Sequence, residues 1–188
     1  MNIFALSSHP RRAARWHADK HVVKMILEYC QLLYTAHWTL YYPSLLSCRS
    51  PVALARAYRE LPSFLAAPLC LSTQLPGYAP SHIHHPCARW VRHTIGNYDW
   101  LCMLGLELAR EYTYRYGKIH SCEVHLRWLK EHPPSQIPMG PRSWFPVAMD
   151  EIYRISDDPI LCYQHYYRTA KQEKGLIRYT GRHIPHWI

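Results

Sequence analysis

The segment His17-Ala18-Asp19-Lys20-His21-Val22-Val23-Lys24-Met25-Ile26-Leu27-Glu28 gathers imidazoles, ammonium groups and carboxylates, a pair of each, into a short stretch of chain. Read as the opening turns of one helix, it places His17, His21, Lys24 and Glu28 on a single stripe, with Val22, Val23, Met25, Ile26 and Leu27 as apolar neighbours. An amine beside other cations gives up its proton more readily than an isolated lysine. Lys20 or Lys24 could then attack a sugar C1′ carbon and form a Schiff base. Glu28 or Asp19 would stabilise the developing sugar cation, and His17 or His21 would shuttle a proton. Two alternatives use the same residues. One is a noncatalytic basic helix that contacts phosphates. The other is a metal-dependent hydrolase in which His17 and His21, spaced i and i+4, are ligands, and His84, His85 or Asp99 completes the shell. No H-E-x-x-H motif supports the metal reading, and the expectation is no metal and no cofactor.

Three further clusters have the residue types that hold nucleic acid. His85, Arg89, Trp90 and Arg92 alternate cations with an aromatic ring, which suits phosphate clamping and base stacking. Arg115, Tyr116, Lys118 and His120 concentrate polar donors at a helix end. Tyr163, Tyr167 and Lys171 share one face at helical spacing, joined downstream by Lys174, Arg178 and Arg182.

The bulk composition agrees with such a partner. Twenty-two Lys and Arg against thirteen Asp and Glu give a formal charge of +9, which favours a polyanion. Fifteen Tyr and seven Trp against three Phe favour aromatic rings with a polar edge. The length of 188 residues suits one domain, residues 1–188. No apolar run approaches the roughly 20 residues of a membrane span, so the expected protein is soluble and intracellular, with no membrane and no obligate protein partner. Seven cysteines without a C-x-x-C pair read as small core residues of a reducing compartment.

The elements that must position these residues are helical. Residues 2–7 read as extended, and Pro10 opens a short helix through Trp16. Asp19 caps a long helix that keeps its apolar period as far as Tyr42-Pro43. Residues 43–84 form a proline-rich insertion or lid with one helix from Pro51 to about Glu60. A second long helix runs from Trp90 to a glycine stop at Gly117, with a break near Gly96-Asn97. Ser121 caps a helix over Cys122 to Glu131, residues 133–148 wrap a surface, and Asp158 caps a helix from Pro159 to about Lys171. The reading is all-α, a single compact helical domain with long proline-rich loops.

The N-terminal M-N-I-F, the H-x-D-K-H-V-V-K-M-I-L-E block, H-P-x-x-x-W-V-R, E-Y-x-x-R-Y-G-K-x-H and Y-x-x-Y-Y-x-x-x-K together resemble a family of small proteins of tailed phages and large DNA viruses. That family is in turn similar, more distantly, to the pyrimidine-dimer DNA glycosylase superfamily. The landmarks in this chain are Asp19 to Glu28, His85-Pro86, Trp90 and the segment Tyr163 to Lys171. The resemblance implies an all-α fold, DNA as partner, and base-excision glycosylase chemistry with abasic-site lyase activity. In the phage glycosylase the nucleophile is the α-amine of an N-terminal threonine, and the acid is a glutamate in Tyr-Arg-Glu-Leu-Pro. Residue 2 here is Asn, a departure that shifts the expected chemistry to the side chains of the first long helix. Tyr58-Arg59-Glu60-Leu61-Pro62 repeats the glutamate motif letter for letter, but it lies in the proline-rich region and is read as a coincidence.

Overall fold

The structure is a computed structural model in which residues 1–61 and 66–188 are described. Its helices are α1 (Pro10–Trp16), α2 (Asp19–Tyr41), α3 (Pro51–Arg59), α4 (Pro86–Val91), α5 (Ile95–Tyr116), α6 (Glu123–Glu131) and α7 (Pro159–Tyr166). The described residues contain no strand, and their one isolated bridge pairs Leu69 with Pro76. The chain is all-α.

The long helices α2 and α5 pack together at the centre. On α2, Val22, Met25, Ile26, Tyr29, Leu32, Leu33 and Ala36 turn inward and are fully or almost fully buried. Each large apolar side chain removed from water in this way contributes about 1.5–3 kcal/mol. α1 lies against α5, α6 crosses both long helices, and α4 covers α2. Gly105 permits the close approach of α5 and α6, because a Cβ there would sit 2.7 Å from Leu126 Cδ2. Imidazoles also serve the core: His37 Nε2 pairs with the Tyr98 hydroxyl at 2.9 Å, and His125 Nδ1 with the Tyr34 hydroxyl at 2.9 Å.

Helix ends follow local chemistry, with informative departures from the expected bounds. α2 starts at Asp19, but its N-cap is Ala18 in extended conformation. The second long helix is two helices: α4 ends at Val91, and Thr94 then caps α5 by accepting from Asn97 N at 3.2 Å. The break therefore falls before Gly96. Gly117, at φ 65°, stops α5 as its sequence context implies. α6 begins one residue later than read, with His120 Nδ1 accepting from Cys122 N. Asp158 caps α7 by accepting from Ile160 N at 2.8 Å.

The helix does not run on to Lys171 as α-helix. Residues Tyr167–Lys171 form a π-turn, a geometry that inserts one extra residue and re-aims the side chains after it. Residues 2–7 form a series of tight turns in which Ile3, Phe4, Ala5 and Leu6 are buried. Within the proline-rich region, residues 78–81 pack across α2, where Trp38 Nε1 donates to Tyr78 O and Ser81 N donates to Thr35 Oγ1. Residues 133–148 wrap the start of α5 through Ile95 N to Pro138 O and Gly96 N to Gly140 O.

Candidate functional site

The polar stripe read from His17 to Glu28 divides into parts with different surroundings. The chain is extended at His17 and Ala18, so His17 belongs to the end of α1 and not to the stripe on α2. Its ring is fully buried, with Nδ1 2.7 Å from Ala13 O and Nε2 3.2 Å from the Tyr29 hydroxyl. Burial lowers its pKa to about 4, so His17 is a neutral core histidine. Both ring nitrogens are engaged, which removes the His17/His21 pair as metal ligands. Asp99, offered as a further ligand, is paired with Lys130 at 2.8 Å. No group of three or more potential metal-binding side chains occurs among the described residues.

Asp19 is enclosed by donors. Thr180 gives its N–H at 2.9 Å and its hydroxyl at 2.7 Å, and Arg115 Nη1 lies at 2.8 Å. Arg115, whose side chain is completely buried, also holds Glu111 through Nε at 2.8 Å. Arg182 grips Glu111 with Nε at 2.7 Å and Nη2 at 2.9 Å. Burial would raise the pKa values of Asp19 and Glu111, but these hydrogen bonds and charges outweigh it and hold both below the ordinary carboxylate range. Arg115 and Arg182 are therefore committed to a structural network rather than open to phosphate. The Tyr116 hydroxyl reaches the same network at Asp19 O.

Glu28 lies on the same helix in a different setting. Its Oε1 is 3.0 Å from Lys24 Nζ, and its Oε2 accepts from Asn2 N at 3.2 Å and lies 3.8 Å from the Met1 amino group. The Lys24 side chain is 64% exposed and that of Glu28 only 12%. A sheltered carboxylate is thus presented to solvent through an accessible amine. Asn2 is fixed from below: its Nδ2 donates to Ala148 O, and its Oδ1 is 2.8 Å from the Tyr163 hydroxyl.

Beside this pair, His21 is buried against Phe4, the rings stacked at 4.5 Å, and its Nδ1 bonds to the Tyr167 hydroxyl. Burial, followed by the charges of His17, Lys171, Lys24 and Lys20, brings its pKa down to about 3. A neutral imidazole with this pKa is no proton donor at neutral pH. Lys20 is exposed. Lys171, carried by the π-turn, is half-buried with Nζ 4.6 Å from the Tyr166 ring centre and 5.6 Å from that of Phe4.

The remaining candidates are mostly structural. Trp90, Tyr163 and Tyr167 are buried, so their rings offer no surface to a nucleobase. The even spacing that put Tyr163, Tyr167 and Lys171 on one face is broken by the π-turn, which leaves both tyrosines in the core and Lys171 outside it. Arg92 donates to Ile83 O at 2.8 Å, and His85 Nδ1 accepts from Cys87 N at the start of α4. Arg89 and Lys118 are exposed, and His120 is half-buried against Tyr112.

Lys24 opens on one of two cavities that share a wall. One, of about 780 Å³, runs along the outer face of α2 and is lined by Lys24, Leu27, Gln31, Tyr78 and His120. The other, of about 420 Å³, lies between α3 and residues 79–85 and is lined by Arg49, Tyr58, Ile83 and His85. Residues 79–81 line both, and Ser81 Oγ touches Met1 Sδ at 3.9 Å. His85 responds electrostatically to the Met1 amino group and to Glu28. The lining residues Arg49, Tyr78 and Ser81 carry no signal in the sequence, because local spacing says nothing about which loop folds over which helix, and Tyr58 stands out there only through the match read as a coincidence. Pro62 of the Tyr58–Pro62 match lies outside the described residues, and Glu60 ends α3 with a side chain 72% exposed.

Comparisons with known proteins return no match among family models, curated proteins or solved structures. Among the described residues no helix is long and apolar enough to cross a membrane.

Proposed function

We propose that the protein acts on DNA as a base-excision glycosylase with abasic-site lyase activity, on a scaffold of the pyrimidine-dimer-glycosylase type. The observation that carries this reading is the Lys24–Glu28 pair at 3.0 Å, an accessible amine against a sheltered carboxylate, with the amine lining the larger of two cavities that share residues 79–81. Glu28 accepts the ammonium proton, and the freed Lys24 amine attacks C1′. The glycosidic C–N bond breaks, its electron pair leaves with the base, and the base takes up the proton that the newly bonded nitrogen releases, which frees the nitrogen lone pair. Nitrogen then expels the ring oxygen, which is protonated by Glu28, to give the Schiff base. The 420 Å³ cavity has room for an extruded base, which must leave the stack before its sugar can be reached. The charge of +9 favours the DNA backbone.

Borohydride trapping on a duplex with one abasic site tests the reading. The wild-type protein is expected to form a covalent adduct, Lys24→Ala to form none, and selective acetylation of the Met1 amino group to leave the yield unchanged. Absence of an adduct with wild type overturns the lyase reading. Retained binding under that outcome favours a noncatalytic nucleic-acid-binding protein, which the basic charge also supports.

A further inference from the structure

Next to the Lys24–Glu28 pair lies a second group of donors that the proposed chemistry does not use. Lys20 and Lys24 sit one turn apart on the exposed face of α2, with His21 between them. Lys24 is taken by Glu28, but neither Lys20 nor Lys171 forms an ion pair among the described residues. Lys171 is held over the rings of Phe4 and Tyr166, a support that fixes an ammonium group without neutralising it. His21 is 6% exposed; its Nδ1 is used by Tyr167, and its Nε2 makes no hydrogen bond among the described residues. With the tyrosine hydroxyl donating to Nδ1, Nε2 carries the imidazole proton and is a donor. Lys20 directly precedes His21 on α2, and Lys171 and the His21 ring both lie against Phe4. The Lys171 ammonium group and the His21 imidazole therefore share the Phe4 ring, and Lys20, with no ion pair among the described residues, stands at the position before His21 on α2.

We propose that Lys20, Lys171 and His21 Nε2 bind a phosphodiester group flanking the reacting nucleotide, an assignment that rests on the proposed action on DNA. The π-turn is the device that makes this site. A regular helix would carry Lys171 along the buried stripe of Tyr163 and Tyr167, whereas the inserted residue swings it out over Phe4. The phosphate would thus be fixed by the C-terminal part of the chain, while α2 supplies the amine and the carboxylate. Such a contact positions the sugar without reading sequence.

The test is binding, followed by fluorescence anisotropy, of a duplex that contains a tetrahydrofuran abasic analogue. One form has all phosphates, and two others each have one methylphosphonate, on the 5′ or the 3′ side of the analogue. Lys171→Met, which keeps the alkyl packing on Phe4 and Tyr166, is expected to weaken binding of the unmodified duplex about tenfold. It should also flatten the slope of log affinity against log salt by about 1. One of the two methylphosphonates should weaken wild type by a similar factor and leave Lys171→Met unaffected. The exposed Lys20→Met should show the same non-additivity with the same methylphosphonate. Losses that multiply at both positions, or a Lys171→Met protein that binds as wild type does, overturn the phosphate site. Non-additivity in a protein that traps no adduct supports the site while removing the lyase reading.

Discussion

Asp19 and Glu28 are carboxylates on the same helix, less than three turns apart, and their surroundings could hardly differ more. Asp19 is closed off: a buried arginine, a threonine N–H and a threonine hydroxyl all point at it, and the arginine is shared with Glu111. Glu28 is sheltered on one side and opens on the other to a lysine that water can reach. Every donor around Asp19 is supplied by a distant part of the chain, from α5 or from the tail near Thr180, so the group ties elements together. At Glu28 the exposed donor comes from the next turn of the same helix, so the pair can be rearranged at little cost to the fold. Two carboxylates that look alike in sequence divide into one that holds the structure and one that is available for chemistry.

The largest effect that separates them is on stability. Arg115→Leu leaves the half-buried Asp19 and the buried Glu111 without their shared partner, and is expected to cost about 3–5 kcal/mol, measured by urea unfolding. A cost below about 1 kcal/mol would mean that this network is as replaceable as a surface ion pair. Glu28→Gln is expected to do the reverse. Its urea midpoint should stay close to that of wild type, and the rate of borohydride trapping should fall by about 10²–10⁴-fold, the usual contribution of a positioned acid–base group. Equal loss of stability in both variants would erase the distinction.

Much of this arrangement is legible from the sequence, and the illegible part has physical reasons. The apolar period of α2, the Asp158 cap and the Gly117 stop are local properties, and each appears where residue type and spacing put it. The contact between Lys24 and Glu28 is legible too, because an i, i+4 pair is a local geometry as well. The roles of Asp19, Arg115 and Arg182 depend on contacts across 96, 161 and 71 residues, which no helical period encodes. The sequence places His17 on the α2 stripe because the run His17 to Glu28 keeps the residue types of a helix across an extended break. The sequence groups Lys171 with Tyr163 and Tyr167 because a π-turn leaves no mark in an i, i+4 pattern.

The histidines extend the comparison to pH. His17, His21 and His37 are neutral in the folded chain because burial, their largest influence, lowers their pKa values to about 4, 3 and 3. Unfolding returns each toward its ordinary value of 6.5. Below that pH the unfolded chain binds more protons than the folded one. Each histidine should then remove about 1.4 kcal/mol of stability per pH unit as the pH falls toward its folded value. Asp19 and Glu111, with lowered pKa values, keep their stabilisation through this range and lose it only as the pH falls through and below the ordinary carboxylate range. Urea midpoints are therefore expected to decline between pH 6.5 and 5, before the Asp19 network weakens. A flat profile there would mean that the three rings take up protons without unfolding.

The smallest expected effect concerns the glutamate that sequence likeness singles out. Glu60 stands in a letter-for-letter copy of the glycosylase motif, yet it is exposed at the end of α3, where its ion-pair partner among the described residues is Arg56, at 3.8 Å. An exposed pair of this kind contributes little. Glu60→Ala should change stability by no more than about 0.5 kcal/mol and leave the trapped adduct unaltered. Loss of the adduct in Glu60→Ala, with retention in Glu28→Gln, would move the acid from α2 to α3 and to the cavity wall that Tyr58 lines. The geometry argues for the opposite outcome, because an acid that activates an amine must lie within a hydrogen bond of it, and it is Glu28 that lies 3.0 Å from Lys24.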